Sequence, residues 1–275
     1  MRKSKVIRDR HVLYEAAVQS LEADLDFFER VYQRKRGKRF ERFREDFCGT
    51  AALSCDWVRR RPAHLAWGVD LHRPTLDWGL KHRVAHLGSA AERVRLQCAD
   101  VLQVDGPKID VVAALNFSFS VFKERDLLRR YFKKVRKSLL PGGIFYLDTF
   151  GGTETLGETK ERRRIPSSKD WDGQRIPAFY YVWEQARFNP IDHEILCHIH
   201  FELPNGTKLR KAFTYDWRLW TLPELQELLL EAGFDSTEVY MEGWDEEAED
   251  GDGIFRCRKR FENHEAWVAY VVGLA

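Results

Sequence analysis

Glu45-Asp46-Phe47-Cys48-Gly49-Thr50-Ala51 is the stretch that decides how this chain is read. Acidic, then apolar, then small, it follows the basic stretch that runs to Phe43 and leads into a helical pattern over residues 52–60. The order describes a strand, a tight turn and the N-terminus of a helix. In open α/β sheets this is where the carboxyl end of a strand and the unsatisfied N–H groups of a first helical turn meet a nucleotide-like cofactor.

Working outward, the same strand-then-acid pattern recurs. About 20 residues beyond the turn, Leu65-Ala66-Trp67-Gly68-Val69-Asp70 is a short strand ending in a carboxylate, the spacing at which such folds bind a ribose diol. A third strand starts at Val94 and runs towards Cys98-Ala99-Asp100; a fourth, from Ile109 to Leu115, ends in Asn116. A fifth, Gly143-Ile144-Phe145-Tyr146-Leu147-Asp148, follows Leu140-Pro141-Gly142. Helical patterns over residues 74–87 and 123–139 lie between strands, so the unit reads as βαβαβ with a parallel sheet.

Over residues 40–152 these features resemble the class I S-adenosylmethionine-dependent methyltransferases, and Leu140-Pro141-Gly142-Gly143 is among the most recognisable pieces. The resemblance implies a Rossmann-like, mostly parallel seven-stranded α/β sheet with flanking helices and an antiparallel C-terminal strand pair. It implies S-adenosyl-L-methionine as cofactor. Glu45 would orient the cofactor's amino end, and Gly49 with Thr50 would let the backbone approach its methionine portion. Asp70 would accept both ribose hydroxyls. Asp100 would face the adenine amino group, with Leu71 and Val101 flanking the ring. Asn116 and Phe117 would lie beside the transferring methyl group and are the candidate catalytic residues. The glycine turn departs from the family's acid-x-Gly-x-Gly-x-Gly: with Glu45 as the acid, Phe47 and Ala51 replace the first and third glycines, and Gly49 is retained. A phenylalanine resists a left-handed backbone. The Phe47 ring is expected on the packed side of the turn, because on the cofactor side it would fill the volume the methionine moiety needs.

The chain has 275 residues, 44% of them hydrophobic, which suffices for one sizeable core with an insertion. Its 45 basic and 43 acidic residues nearly cancel, so net charge gives no reason to expect nucleic acid. No stretch approaches the ~20 apolar residues that cross a bilayer, and Met1-Arg2-Lys3-Ser4-Lys5 leads to no apolar signal core. Five cysteines without a C-x-x-C pair suit a reducing, cytoplasmic setting with mostly buried thiols.

Four segments are expected. Residues 1–39 form a helical cap, with Val12, Leu13, Ala16, Ala17, Leu21, Leu25 and Phe28 as one apolar stripe along a helix over 10–34, before a basic linker ending at Arg39. Residues 40–152 form the cofactor core. Residues 153–220 form an inserted antiparallel cover: Arg162-Arg163-Arg164 reads as loop, and three strands follow from Ala178, Glu194 and Lys208, joined at Asn189-Pro190 and Asn205-Gly206. Residues 221–275 supply a helix started by a Thr221/Glu224 capping box and the last strand pair, from Ser236 and from Ala266, with a charged loop over 245–260 between them.

His198 and His200 would share one strand face, but no metal-ligand spacing is present. Tyr14, Tyr215, Trp217 and Trp220 could wall a site around a cation, and Arg218 could hold an anionic group. Asn116-Phe117-Ser118-Phe119 lacks the prolines of the Asn-Pro-Pro-aromatic motif of amino methyltransferases, so it names no acceptor. Methyl transfer from a sulfonium is one in-line displacement that requires positioning and exclusion of water, so the acceptor leaves little mark on the sequence. A small or medium-sized acceptor is expected, with two alternatives open: an NAD(P)- or flavin-dependent oxidoreductase on a related sheet, or an S-adenosylmethionine-binding protein without catalysis.

Overall fold

The structure, a computed structural model, describes residues 9–245 and 250–275; the basic N-terminal residues 1–5 and the middle of the acidic run at 245–252 lie outside them. In chain order the elements are α1 (Arg10–Val18), α2 (Leu21–Arg36), β1 (Arg42–Asp46), α3 (Ala52–Arg60), β2 (Leu65–Asp70), α4 (Arg73–His82), β3 (Val94–Cys98), β4 (Ile109–Ala114), α5 (Arg125–Ser138) and β5 (Leu139–Gly151). They continue as β6 (Thr159–Ile165), β7 (Ser168–Lys169), β8 (Arg175–Ile176), β9 (Phe179–Phe188), β10 (Glu194–Glu202), β11 (Lys208–Arg218), α6 (Leu222–Glu231), β12 (Ser236–Asp245), β13 (Asp250–Cys257) and β14 (Trp267–Leu274).

The chain divides into two units. Ser20–Gly151 with Trp220–Ala275 forms the larger, built on a sheet of order β13-β12-β14-β5-β4-β1-β2-β3. Pairings from β3 to β5 are parallel; β5–β14, β14–β12 and β12–β13 are antiparallel. The strand order reverses at β1, which lies between β2 and β4, and that reversal opens the crevice in which such sheets take a ligand. Both faces are covered, so alternating residues enter different cores and the central strands read as unbroken apolar runs. Val112, Phe145 and Val271 pack with Leu128, Tyr131 and Phe132 of α5 and Leu225, Leu228 and Leu229 of α6. Val111, Tyr146 and Val272 pack with Phe27, Phe28 and Val31 of α2 and Trp57 of α3. Phe28 stacks on Tyr146 with centroids 4.4 Å apart, and emptying that position would cost ~3–5 kcal/mol.

Residues up to Gln19 with Gly152–Leu219 form the second unit. Its sheet runs β11-β10-β9-β6, antiparallel throughout, with β7 and β8 as a separate hairpin. Helix α1 belongs here: Tyr14 lies 4.9 Å from Phe213, and Arg163 donates to the Ala17 carbonyl at 2.9 Å. The Asn205-Gly206 turn closes as its residues imply, with Gly206 at φ +82° and the Leu203 N–H on the Thr207 carbonyl.

Three expectations change. The single N-terminal helix is two, parted at Gln19–Ser20, because its stripe serves two cores: Val12 and Leu13 are buried in one unit, Leu25 and Phe28 in the other. The sheet of the insertion has four strands rather than three, since the arginine run 162–164 lies in β6, and the β7–β8 hairpin adds two short strands where loop is expected. The core sheet has eight strands rather than seven, β13 standing where a charged loop is expected. Strands β6 and β13 are edges, where charge in β6 and charge with glycine in β13 guard against further pairing and hide the apolar alternation. The Thr221/Glu224 capping box forms as expected.

Candidate functional site

At the carboxyl end of β1 the backbone of the quoted turn is left-handed at Phe47 (φ +58°), Gly49 (+53°) and Ala51 (+58°). The expectation that Phe47 resists this conformation is therefore overturned. Its side chain supplies the reason: the ring lies on the packed side, edge-on to Tyr131 (5.7 Å) and Phe122 (5.9 Å). Below it, Asp46 is fully buried, paired with Arg44 Nε at 2.8 Å and accepting from the Tyr131 hydroxyl at 2.9 Å. The turn is also held tightly from the sides. The Cys48 N–H donates to the Val69 carbonyl; a Cβ on Gly68 would meet Cys48 Sγ at 2.9 Å, and one on Gly79 would meet the Thr50 carbonyl at 2.4 Å.

Asp70 closes the other side. Its Oδ2 accepts the Gly49 N–H and its Oδ1 the His72 N–H, both at 2.8 Å. The carboxylate thus fixes the glycine turn to the end of β2, while its remaining lone pairs stay available to hydroxyl donors. Leu71 beside it is 73% exposed, an apolar surface suited to an aromatic ring. Val101 does not share that surface: it is buried in the core, so the expected pair of flanking side chains reduces to Leu71. Asp100 begins the turn after β3, its Oδ1 accepting from the Leu102 N–H at 2.9 Å, which leaves Oδ2 for another donor.

Glu45 is engaged elsewhere than expected. It is buried, and its Oε2 accepts both the Ser54 N–H (3.1 Å) and the Ser54 hydroxyl (2.7 Å), satisfying an orphan donor in the first turn of α3. Burial pushes its carboxyl up to about 8 against the pull of Ser54, and the nearby carboxylates of Asp70 and Asp24 raise it further.

After β4, Asn116 (φ +55°) and Phe117 (φ +59°) are both left-handed. Asp148, at the end of β5, makes that pair possible: its carboxylate accepts the Asn116 N–H at 2.8 Å and the Phe117 N–H at 2.9 Å. Burial raises Asp148 to about 7 although both N–H groups lower it. Phe117 packs against Phe150 with centroids 4.6 Å apart. Opposite Asp148 in the register stands Tyr270, whose hydroxyl donates to Asp24 of α2. Asp24, Glu45, Asp70 and Asp148 thus converge around the carboxyl ends of β1, β2 and β5. Among the described residues no basic side chain forms an ion pair with any of them.

Trp220, expected at a substrate wall, is instead core: it is 2% exposed and its indole N–H donates to the Phe122 carbonyl. In the other unit Tyr14 and Tyr215 are hydrogen-bonded to each other, and Tyr215 stacks on Trp217 at 4.3 Å. Arg218 ends β11 opposite Glu194. His198 and His200 share a face, as their spacing implies, but each has a local partner: His198 Nδ1 meets Thr214 Oγ1, and His200 Nε2 lies 2.7 Å from Glu184 Oε2. No group of three metal-ligating side chains exists among the described residues.

Asp24, Ser54, Asp148 and Tyr270 lie around this crevice and are not among the expected site residues. Asp148 carried a signal as one more strand-end acid, and Asp24 as a charge set within the stripe of Leu21, Leu25 and Phe28. Ser54 and Tyr270 carried none.

No family model matches the sequence, and no curated protein does. The fold has solved counterparts. An S-adenosylmethionine-dependent methyltransferase from Clostridium acetobutylicum is 17% identical, with 96% of each chain covered and a TM-score of 0.67. An S-adenosylmethionine-bound amino pentose methyltransferase from Micromonospora echinaspora is 16% identical, covering 98% of this chain and 99% of its own at 0.66. A sugar N-methyltransferase from Streptoalloteichus is 16% identical, covering 100% and 95% at 0.64. The chain therefore has the fold of these methyltransferases, with a Rossmann-like α/β sheet in its larger unit.

Proposed function

We propose that this protein is an S-adenosylmethionine-dependent methyltransferase acting on a small or medium-sized acceptor. The observation that carries the reading is the sign of the site. A glycine turn, a strand-end acid and an exposed leucine suit an adenosine ligand, yet the surrounding carboxylates Asp24, Glu45 and Asp148 have no basic partner among the described residues. Such a crevice offers no cation to a diphosphate, and its carboxylates gain when a positively charged ligand enters, so it favours a cofactor with net positive charge over a nicotinamide or flavin dinucleotide. The oxidoreductase alternative is disfavoured on that ground.

When bound, S-adenosylmethionine supplies an electrophilic methyl group on a sulfonium. Asp70 would hold the ribose diol, Asp100 the adenine amino group, and Leu71 one ring face. The backbone of Gly49 and Thr50 would run along the methionine portion. Asn116 and Phe117, fixed by Asp148, would line the path by which a nucleophile reaches the methyl carbon and would help exclude water. The four-stranded unit is the substrate-selecting part in this reading, with Tyr14, Tyr215 and Arg218 as acceptor-binding residues. Two of the structural relatives act on an amino pentose and on a sugar nitrogen, which supports an amine-bearing polar acceptor here.

Titration calorimetry with S-adenosylmethionine, its demethylated product and NAD+ tests the cofactor. Micromolar binding of the first two, with no response to NAD+, is expected; the reverse refutes the reading. Release of demethylated cofactor during incubation with a panel of amino sugars then tests turnover, and binding without any turnover would favour the non-catalytic alternative.

A further inference from the structure

The cofactor's positive charge needs a counter-ion, and the acid of the glycine turn is engaged with α3 through one of its oxygens. Glu45 is buried, with the Ser54 N–H and hydroxyl on its Oε2. Asp148 is committed to the Asn116 and Phe117 N–H groups, and Asp70 to those of Gly49 and His72. Asp24 differs. It lies in the first turns of α2, within the stripe whose neighbours Leu25, Phe27 and Phe28 are buried. Among the described residues its carboxylate has one hydrogen-bond partner, the Tyr270 hydroxyl. Tyr270 stands opposite Asp148 in the sheet register, so Asp24 is fixed beside the strand end that holds the Asn116–Phe117 turn.

We propose that Asp24, oriented by Tyr270, is the counter-ion for a cationic centre of bound S-adenosylmethionine, so that helix α2 and not the glycine turn reads the cofactor's charge. The inference rests on the methyltransferase reading. Among the described residues the ionisable groups facing Asp24 are Tyr270 on β14, Asp148 on β5 and Glu45 on β1, with Glu242 of β12 acting on Tyr270, and none of them is a cation. A half-buried carboxylate among such neighbours is held towards its neutral form; a ligand carrying a sulfonium and an ammonium against one carboxylate removes that penalty. Burial raises Asp24 to about 6 and Asp148 to about 7. Entry of a cation should therefore expel protons from the site near neutral pH, a linkage that a purely structural Asp24 would not show.

The experiment is titration calorimetry on the full chain with S-adenosylmethionine and with its demethylated product, repeated in buffers of different ionisation enthalpy to count protons released. Asp24→Asn, which can still accept from Tyr270, should weaken S-adenosylmethionine about tenfold or more and reduce the protons released. A similar loss for both ligands assigns Asp24 to the ammonium; a loss confined to S-adenosylmethionine assigns it to the sulfonium. Tyr270→Phe, which keeps the carboxylate, should change affinity by no more than about threefold. Thermal melting of each variant reports folding. If Asp24→Asn does not fold, the wild-type protein decides: its affinity for S-adenosylmethionine should rise between about pH 5 and about pH 7, across the ionisation of Asp24 at about 6. Unchanged affinity and proton release in Asp24→Asn, or a flat wild-type pH profile, overturns the proposal. A wild-type protein that binds neither ligand overturns the methyltransferase reading instead.

Discussion

Replacing Asp70 by alanine should damage the fold and the cofactor site together, in proportions set by the carboxylate's double duty. Both oxygens accept backbone N–H groups at 2.8 Å, one from the glycine turn and one from the residue before α4. Hydrogen bonds to a charged acceptor are worth ~1.5–3 kcal/mol each, and since the carboxylate is only half-buried, water recovers part of the loss, leaving ~2–4 kcal/mol. For a unit of this size that is a fall in Tm of about 4–16 °C. Losing the ribose acceptor should weaken S-adenosylmethionine by roughly 10- to 100-fold, ~1.5–3 kcal/mol. Asp70→Asn separates the two roles in part, because an amide keeps one acceptor and sets an N–H against the other donor, so its Tm should lie between wild type and Asp70→Ala. Differential scanning calorimetry without ligand and titration calorimetry with S-adenosylmethionine measure both effects. An Asp70→Ala protein with unchanged Tm and affinity within about threefold of wild type would refute the reasoning.

At Phe47 the left-handed backbone reverses the usual order of truncations: Phe47→Gly loses the ring but sheds ~1 kcal/mol of strain, whereas Phe47→Ala loses the ring and keeps the strain. Melting temperatures should rank wild type, then glycine, then alanine, and an alanine variant more stable than glycine contradicts this account. Asp148→Ala should destabilise by ~2–4 kcal/mol by leaving the Asn116 and Phe117 N–H groups unpaired, visible as faster hydrogen exchange at those two amides; protection equal to wild type would disprove the clasp. Asp24, Asp148 and Glu45 have folded-state pKa values raised to about 6, 7 and 8. The stability they contribute is thus complete below about pH 4 and is lost as pH rises through those values. Unliganded Tm should fall between about pH 6 and about pH 8 less steeply in Asp148→Asn than in wild type, and equal slopes would show that Asp148 does not titrate there.

What the sequence made legible was whatever the backbone repeats. Strand-end acids at Asp70 and Asp100, the capping box at Thr221 and the Asn205-Gly206 turn are local signals, and each sits where its chemistry requires. The edge strands β6 and β13 were hidden because an edge is written in charge and glycine rather than alternation. Side-chain commitments were hidden for another reason. Whether Glu45 faces a ligand or Ser54, and whether Trp220 faces a cleft or the Phe122 carbonyl, depends on partners nine to 98 positions away. No local pattern records such partners. The division of the N-terminal helix between two cores shows the same limit, since one continuous stripe of Val12 to Phe28 does not say that its halves face different sheets.

The irregular glycine turn follows from the same physics. A glycine in such a turn serves two needs, a left-handed backbone and room for close packing, and these needs can be met on different residues. Here the left-handed positions at 47 and 51 are taken by Phe47 and Ala51, at a cost of ~1–2 kcal/mol each. Packing of the Phe47 ring on Tyr131 and Phe122 offsets part of its share, since full burial of a phenylalanine contributes ~1.5–3 kcal/mol and this ring is partly buried. The room is supplied from outside the turn, by Gly68 under Cys48 and Gly79 against Thr50, where any side chain would collide. What the motif lost in its own glycines, the neighbouring strand and helix supply, and the turn keeps the shape that presents Gly49 to Asp70.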